Sequence, residues 1–334
     1  MTCSTTYPPL NLLKRPRRQR LLPGIRRLTR ETALTADDLV QPLFIREGIA
    51  EAEPIAALPG QFRHTLDSCL REIDHLVELG ISAIALFPSI PDELKDSRGS
   101  QAFSRENIVC QAVKEIKRAF PELIIFADVA LDPYTDHGHD GWIDERGIVI
   151  NDDSVRALCE MACLLADVGV DVISPSDMMD GRVKAIREAL DTCGFQEIPI
   201  LSYAVKYATA LYGPFRQAVG SRLIAGDKLS YQLQPNNVRE ALRECAIDEE
   251  EGADILLIKP ALLYLDVIAK VRMNTHLPIA AFHVSGEYAM ACAAAERGWL
   301  DGNKVMEEML LSIKRAGADF IFTYAAKSYL ESPR

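Results

Sequence analysis

The chain has 334 residues, 48% hydrophobic, 25% charged and 7% aromatic, a globular composition that excludes a disordered or fibrous protein. No apolar run approaches the roughly 20 residues needed to cross a bilayer, so the chain reads as soluble, with no membrane partner. Net charge is −11, but residues 1–30 hold eight cations (Lys14, Arg15, Arg17, Arg18, Arg20, Arg26, Arg27, Arg30) and no acid, which leaves −19 on the remainder.

A basic arm of this kind suits nucleic acid, a transit peptide or the surface of a neighbouring acidic subunit, and the charge split favours the last. The arm is taken as residues 1–35 and the rest, 36–334, as one catalytic domain, since α/β barrels commonly reach this size. Short runs rich in Val, Ile, Leu and Phe then recur at 41–45, 82–87, 123–129, 170–174, 198–203, 255–259, 278–284 and 320–324. Each has the length of a strand buried on both faces. Helical spacing fills the gaps, as in Leu66, Leu70, Ile73 and Val77 after Thr65, or Val109, Ala112, Val113 and Ile116 after Ser104, with Thr65 and Ser104 as N-caps. Gly169, Gly252 and Gly317 each stand directly before a strand, where a helix exit wants a left-handed residue. Eight strands alternating with helices, and no G-x-G-x-x-G after the first strand, indicate an α/β fold: a (β/α)8 TIM barrel with an extended N-terminal arm.

The eight cysteines (Cys3, Cys69, Cys110, Cys159, Cys163, Cys193, Cys245, Cys292) show no C-x-x-C spacing and read as reduced residues of a cytoplasmic protein.

Barrel chemistry sits at the carboxyl ends of the strands, which singles out Asp128, Ser176, Asp177, Tyr203, Lys206, Lys259, Ser285 and Tyr324. Isolated serines there are as well explained by strand capping. Two lysines are harder to dismiss. Lys259 ends the apolar run 255–258, and Lys206 lies three residues past the expected end of its strand at Tyr203. With an ordinary pKa of about 10.4 an amine is only roughly 0.04% neutral at pH 7, so a nucleophilic lysine needs desolvation or a nearby cation. Burial supplies the first and a second lysine the other, which suggests Schiff-base chemistry on carbonyl substrates.

Gly252-Ala-Asp-Ile-Leu-Leu-Ile-Lys-Pro-Ala-Leu-Leu-Tyr264 resembles the active-site signature of the porphobilinogen synthase (5-aminolevulinate dehydratase) family. The resemblance extends through Ser174-Pro-Ser-Asp-Met-Met-Asp-Gly-Arg182, Leu201-Ser-Tyr-Ala-Val-Lys-Tyr207, Tyr212-Gly-Pro-Phe-Arg216, His283-Val-Ser-Gly-Glu-Tyr-Ala-Met290 and Lys314-Arg-Ala-Gly-Ala-Asp319, from Arg15 to about Lys327. It implies a hydro-lyase of tetrapyrrole (heme) biosynthesis that condenses two 5-aminolevulinates through lysine Schiff bases, losing two waters. It further implies Lys259 as the Schiff-base lysine of the P site, which supplies the propionate side of the product, and Lys206 as that of the A site. Arg216, Lys228 and Gln232 match the binders of the A-site carboxylate, and Ser285 and Tyr324 those of the P-site carboxylate. Tyr203, Tyr212 and Phe215 would wall the pockets and Ser176 would contact the P-site amino group. Residues 220–235 match a lid that excludes water from the imines. The family precedent for the arm is a homo-octamer in which it wraps a neighbour, and no nucleic acid is expected.

Where the zinc-dependent branch carries three cysteines, this chain has Ala130, Asp132 and Asp140. Zinc prefers sulfur and nitrogen, magnesium oxygen, so no catalytic zinc is expected and the chain resembles the aspartate-containing, magnesium-stimulated branch. Asp132 and Asp140 are candidate ligands of an ion. His137 and His139 with Asp132 form a second, weaker candidate cluster. Glu244 matches a glutamate that holds a largely hydrated allosteric magnesium. Asp128 is expected to position the A-site amine or shuttle protons, unless it only pairs with a lysine. Two rivals, a one-lysine aldolase and a non-catalytic barrel, are disfavoured by the paired lysines and their set of carboxylate binders.

Overall fold

The structure, a computed structural model, describes residues 10–224 and 226–332. Cys3 and the first nine residues of the expected arm lie outside the described residues, as does Ala225 of the expected lid. Two compact units are distinguished, one up to Ala33 and one from Leu34 onward. The first contains two short helical segments, Arg18–Leu21 and Pro23–Leu28, the second with its proline in the first turn, where a missing N–H costs nothing. Neither segment buries a residue, and Leu13 and Leu28 are 90% and 83% exposed.

The second unit is a barrel of eight parallel strands: β1 (Leu39–Arg46), β2 (Ala83–Ser89), β3 (Ile124–Val129), β4 (Val172–Pro175), β5 (Leu201–Lys206), β6 (Ile255–Lys259), β7 (Ile279–His283) and β8 (Phe320–Thr323). Neighbours pair in sequence order, β8 returns to pair with β1, and the bridge between Ile173 and Ile200 joins the β4 side to the β5 side. A small hairpin, Glu53–Pro54 with Phe62–His64, adds to the edge of β1. Between strands run the helices α1 (Leu66–Glu78), α2 (Ile108–Ala119), α3 (Asn151–Asp167), α4 (Arg182–Thr192), α5 (Gly213–Val219), α6 (Arg239–Glu250), α7 (Leu265–Arg272), α8 (Ser285–Glu296) and α9 (Gly302–Ala316), with α10 (Ala326–Glu331) closing the chain.

The barrel interior is filled with aromatic rings from distant strands. Phe126 of β3 meets Phe322 of β8 edge-on at 5.1 Å between centroids, and Phe282 of β7 stacks on Phe322 at 5.4 Å. Such contacts make the barrel a packed core, so reactive groups collect at one mouth and not along a channel.

The helix ends follow the local chemistry, with one correction. Thr65 caps α1, accepting from the Ser68 N–H at 3.1 Å. The cap of α2 is Asn107, accepting from the Cys110 N–H at 2.8 Å, and not Ser104, which accepts from the Glu106 N–H in the turn before it. Either side chain can cap, and the helical turn at Ser100–Phe103 delays the start of α2 by three residues. Gly169, Gly252 and Gly317 take φ of 102°, 102° and 126°, a region closed to most side chains.

The second correction bears on chemistry. The fifth strand spans Leu201–Lys206, so Lys206 belongs to β5 instead of following it. The apolar run from Ile198 is interrupted by Pro199, which cannot donate to a ladder. The polar Ser202 and Lys206 are inside the strand because each has a buried partner. Ser202 and the Tyr203 carbonyl receive bonds from Arg182, which also pairs with Asp248 at 3.1 Å. A guanidinium bound to α4, α6 and β5 at once ties down the strand that carries Lys206.

Candidate active site

Strand register places the two lysines together. Lys206 of β5 and Lys259 of β6 are direct partners, so their side chains leave adjacent parallel strands on the same face. The backbone of Lys259 is held by the Tyr207 N–H at 2.9 Å and the Tyr212 hydroxyl at 3.2 Å, both donating to its carbonyl. Glu287, buried in the first turn of α8, accepts from the Leu262 N–H at 2.7 Å and the Val284 N–H at 2.8 Å, which fastens the chain after β6 to the chain after β7.

The Lys259 amine lies among four rings: its Nζ is 4.4 Å from the centroid of Phe282, 5.1 Å from Phe215, 5.2 Å from Tyr203 and 5.3 Å from Tyr212. Burial lowers its pKa to about 7, and the charge of Lys206 adds to the shift against the pull of Asp128, Asp132 and Asp140. Ring faces attract an ammonium, but the lost hydration outweighs that attraction. At neutral pH roughly half of such amines are uncharged, about a thousandfold more than for an ordinary lysine.

Lys206 is held differently. Its Nζ donates to Asp140 Oδ1 at 3.0 Å and also to the Ser176 carbonyl. Asp140 in turn faces Lys228 Nζ at 2.8 Å and accepts from the Tyr231 hydroxyl at 2.8 Å, while Asp132 is 3.5 Å from Lys228. Burial alone would raise the Asp140 pKa, but Lys206 and Lys228 hold it far below the usual range. Lys228 is raised in spite of burial by the same two aspartates. The pair of lysines is thus asymmetric: one amine lies among aromatic rings and the other is in contact with a carboxylate.

Asp128, near the end of β3, is half-buried, and its Oδ1 is shut off from solvent and free of any hydrogen-bond partner among the described residues. Burial raises its pKa to about 7 against the pull of Lys259 and Lys206, so it can give or take a proton near neutrality. Arg216, Lys228, Gln232, Ser176, Tyr212 and Phe215 line one central cavity with Asp128, Asp132 and the two lysines. Its volume is only about 20 Å³, because the segment carrying Lys228 and Gln232 is folded down onto the aspartates. Ser285 and Tyr324 are buried outside that lining: Ser285 accepts from the Phe215 N–H at 3.1 Å and donates to the Leu211 carbonyl at 3.1 Å, and the Tyr324 ring stacks on Phe44. Sequence reasoning passed over Phe282, Glu287, Tyr231 and the Arg182–Asp248 pair. A glutamate three residues past a helix N-cap, as Glu287 is past Val284, is the one local signal among them.

The ion candidates separate by chemistry. Asp132 and Asp140 are both engaged by Lys228. His137 Nε2 contacts the Ser97 carbonyl at 3.3 Å and His139 Nδ1 the Tyr231 hydroxyl at 3.2 Å, and among the described residues no group of three or more His, Cys, Asp or Glu is placed to hold a metal directly. Glu244 of α6 lines a separate cavity of about 340 Å³ with Asp180 and Glu240, opposite Arg243 at 3.2 Å. Burial, and the nearby charge of Asp248, raise its pKa. Three carboxylates along one cavity are of the donor type that suits a hard cation keeping most of its water.

A family model described as delta-aminolevulinic acid dehydratase matches residues 13–332. The delta-aminolevulinic acid dehydratase of Chlamydia pneumoniae is 52% identical over 322 residues, covering 96% of this chain and 97% of the relative. That of Bradyrhizobium diazoefficiens is 49% identical, covering 98% and 93%. The crystal structure of the Toxoplasma gondii porphobilinogen synthase in complex with its product porphobilinogen superposes with a TM-score of 0.94 at 45% identity, over 96% of this chain and 92% of that one.

The amine asymmetry has a direct readout in reductive methylation with formaldehyde and cyanoborohydride, mapped by peptide. Modification of Lys259 should rise with pH along a limb centred near 7, because only the neutral amine reacts and its pKa is depressed. Lys206→Met removes a depressing cation, so the limb should move upward. A wild-type limb near the ordinary lysine value would contradict this description.

Proposed function

This chain belongs to the delta-aminolevulinic acid dehydratase family, lyases that condense two 5-aminolevulinates to porphobilinogen, and we propose the following division of that reaction among its residues. Lys259 is the first nucleophile. Its desolvated amine attacks the ketone of the P-site substrate, and Asp128, able to carry a proton near neutrality, delivers it as the carbinolamine loses water. The single observation that carries this order is the difference between the two lysines, one ringed by aromatic faces and the other bound to Asp140.

Lys206 takes the A-site substrate second. Its amine must leave Asp140 and give up a proton, and Asp128, left as a carboxylate once it has delivered its own proton at Lys259, lines the same cavity and takes that proton, while Arg216, Lys228 and Gln232 bind the carboxylate of the incoming substrate. The P-site carboxylate is received by Ser285 and Tyr324 once Phe215 yields, and Ser176 orients the P-site amine. Tyr203, Tyr212 and Phe215 keep the imines dry. Residues 220–235 act as the lid, for two substrates need far more room than a cavity of about 20 Å³.

The aspartate-containing, magnesium-stimulated branch is the proposed assignment. Glu244 would hold a hydrated allosteric magnesium, with Glu240 and Asp180 reaching its water shell, and no step of the chemistry passes through it. The arm, residues 1–35, would dock on a neighbour in a homo-octamer, supported by the eight cations and no acid of its residues 1–30 and by exposed leucines such as Leu13 and Leu28. A cytoplasmic setting is proposed from the scattered thiols, all seven described cysteines being free.

Lys259→Ala should lower porphobilinogen formation by on the order of 10⁴ or more, as loss of a covalent nucleophile does, and substantial residual turnover would remove the lysine from its role. After chelation, magnesium and not zinc should restore full activity, and Glu244→Gln should abolish that response while leaving basal turnover; rescue by zinc alone would overturn the branch assignment. Deleting residues 1–30 should give smaller species by light scattering, and an unchanged octamer would refute the arm's part in assembly.

A further inference from the structure

At the same mouth of the barrel, a second cavity of about 520 Å³ adjoins the central one and shares Arg216 with it. Three more guanidinium groups line it: Arg46 from the end of β1, Arg63 from the hairpin and Arg222 just beyond α5. The opposing acids are Asp92 and Glu93. Asp92 is already paired with Lys95 at 2.9 Å, and its carboxylate is held low by Lys95 first and by Arg222 and Arg46 after it. Four guanidinium groups therefore face two carboxylates, one of them engaged elsewhere.

The arginines are positioned, not loosely splayed. Arg63 donates Nε to the Ala218 carbonyl at 2.7 Å and Nη2 to the Gln217 carbonyl at 2.6 Å, so it grips the end of α5, and Glu53 approaches it only to 4.0 Å. Burial, then the neighbouring charge of Arg46, lower the Arg63 pKa against the pull of Glu53, which marks two cations brought close together. The Nε of Arg46 is shut off from solvent and has no acceptor among the described residues. Arg222 is fixed through its backbone: Gly138 sits at φ +75° with its Cα so close that an added Cβ would stand 2.4 Å from the Arg222 carbonyl.

A guanidinium with a buried, unmatched N–H is unfavourable unless an acceptor arrives, and planar carboxylates match its fork geometry. The setting sharpens the point. In a chain of net charge −11, a carboxylate nearing the barrel meets general repulsion, and this cavity, which Arg216 shares with the central one, is a local reversal of that field.

We propose that the Arg46–Arg63–Arg222 cavity is a second carboxylate site, an antechamber that receives the carboxylate of an incoming 5-aminolevulinate and hands it to Arg216. The proposal rests on the functional reading above. Arg46 and Arg222 bind the carboxylate directly, while Arg63 positions the helix that carries Arg216. Because the antechamber acts before chemistry, its loss affects capture and leaves the bonded steps alone.

The test compares Arg46→Gln, Arg222→Gln and the double variant with the wild-type full-length protein, measuring kcat and kcat/KM for 5-aminolevulinate. Each single substitution should lower kcat/KM about tenfold, the scale of one lost charge-assisted contact, with kcat within about twofold and with partial recovery in Arg46→Lys. Arg222 is exposed, so its variant keeps the test valid should Arg46→Gln fail to fold. Unchanged kcat/KM in both variants would overturn the antechamber, and so would a parallel fall in kcat, which would make the arginines scaffold for α5. A wild-type protein that makes no porphobilinogen would instead overturn the functional reading itself.

Discussion

Removing a primary amine from water without giving it a carboxylate in contact is costly, and the mouth of this barrel is organised around that cost at Lys259. Four aromatic rings occupy the positions where water would stand, and the second lysine occupies the adjacent register position on β5. The burden is eased by neutralising the amine and not by pairing it. Glu287 and the two bonds to the Lys259 carbonyl then fix the strand end, so the amine cannot swing out to solvent and recover its charge.

The aspartates acquire meaning from the same constraint. Asp140 and Asp132 balance Lys206 and Lys228. Asp140 is thereby shared between two lysines, whereas the Lys259 amine lies among aromatic rings with its pKa lowered by burial.

Much of this was legible in the sequence. All eight strands announced themselves as apolar runs, and Lys259 stood out because a lysine so rarely ends one. Lys206 was misplaced by one structural step. Its strand contains buried polar residues, Ser202 and Lys206 itself, whose partners Arg182 and Asp140 lie far along the chain. Hydropathy cannot see a polar group satisfied by a distant partner. For the same reason the cap of α2 was assigned to Ser104 in place of Asn107, since both can accept from an N–H and only the backbone path between them decides. Phe282 and Tyr231 carried no local mark at all: each matters only because the fold brings it to an amine or a carboxylate.

The unequal settings of the two lysines are best tested by giving the protein less than one equivalent of 5-aminolevulinate, trapping with borohydride and mapping the modified lysine by mass spectrometry. The account requires the adduct on Lys259 with Lys206 essentially unmodified. An adduct predominantly on Lys206, or an equal division between the two, would contradict it.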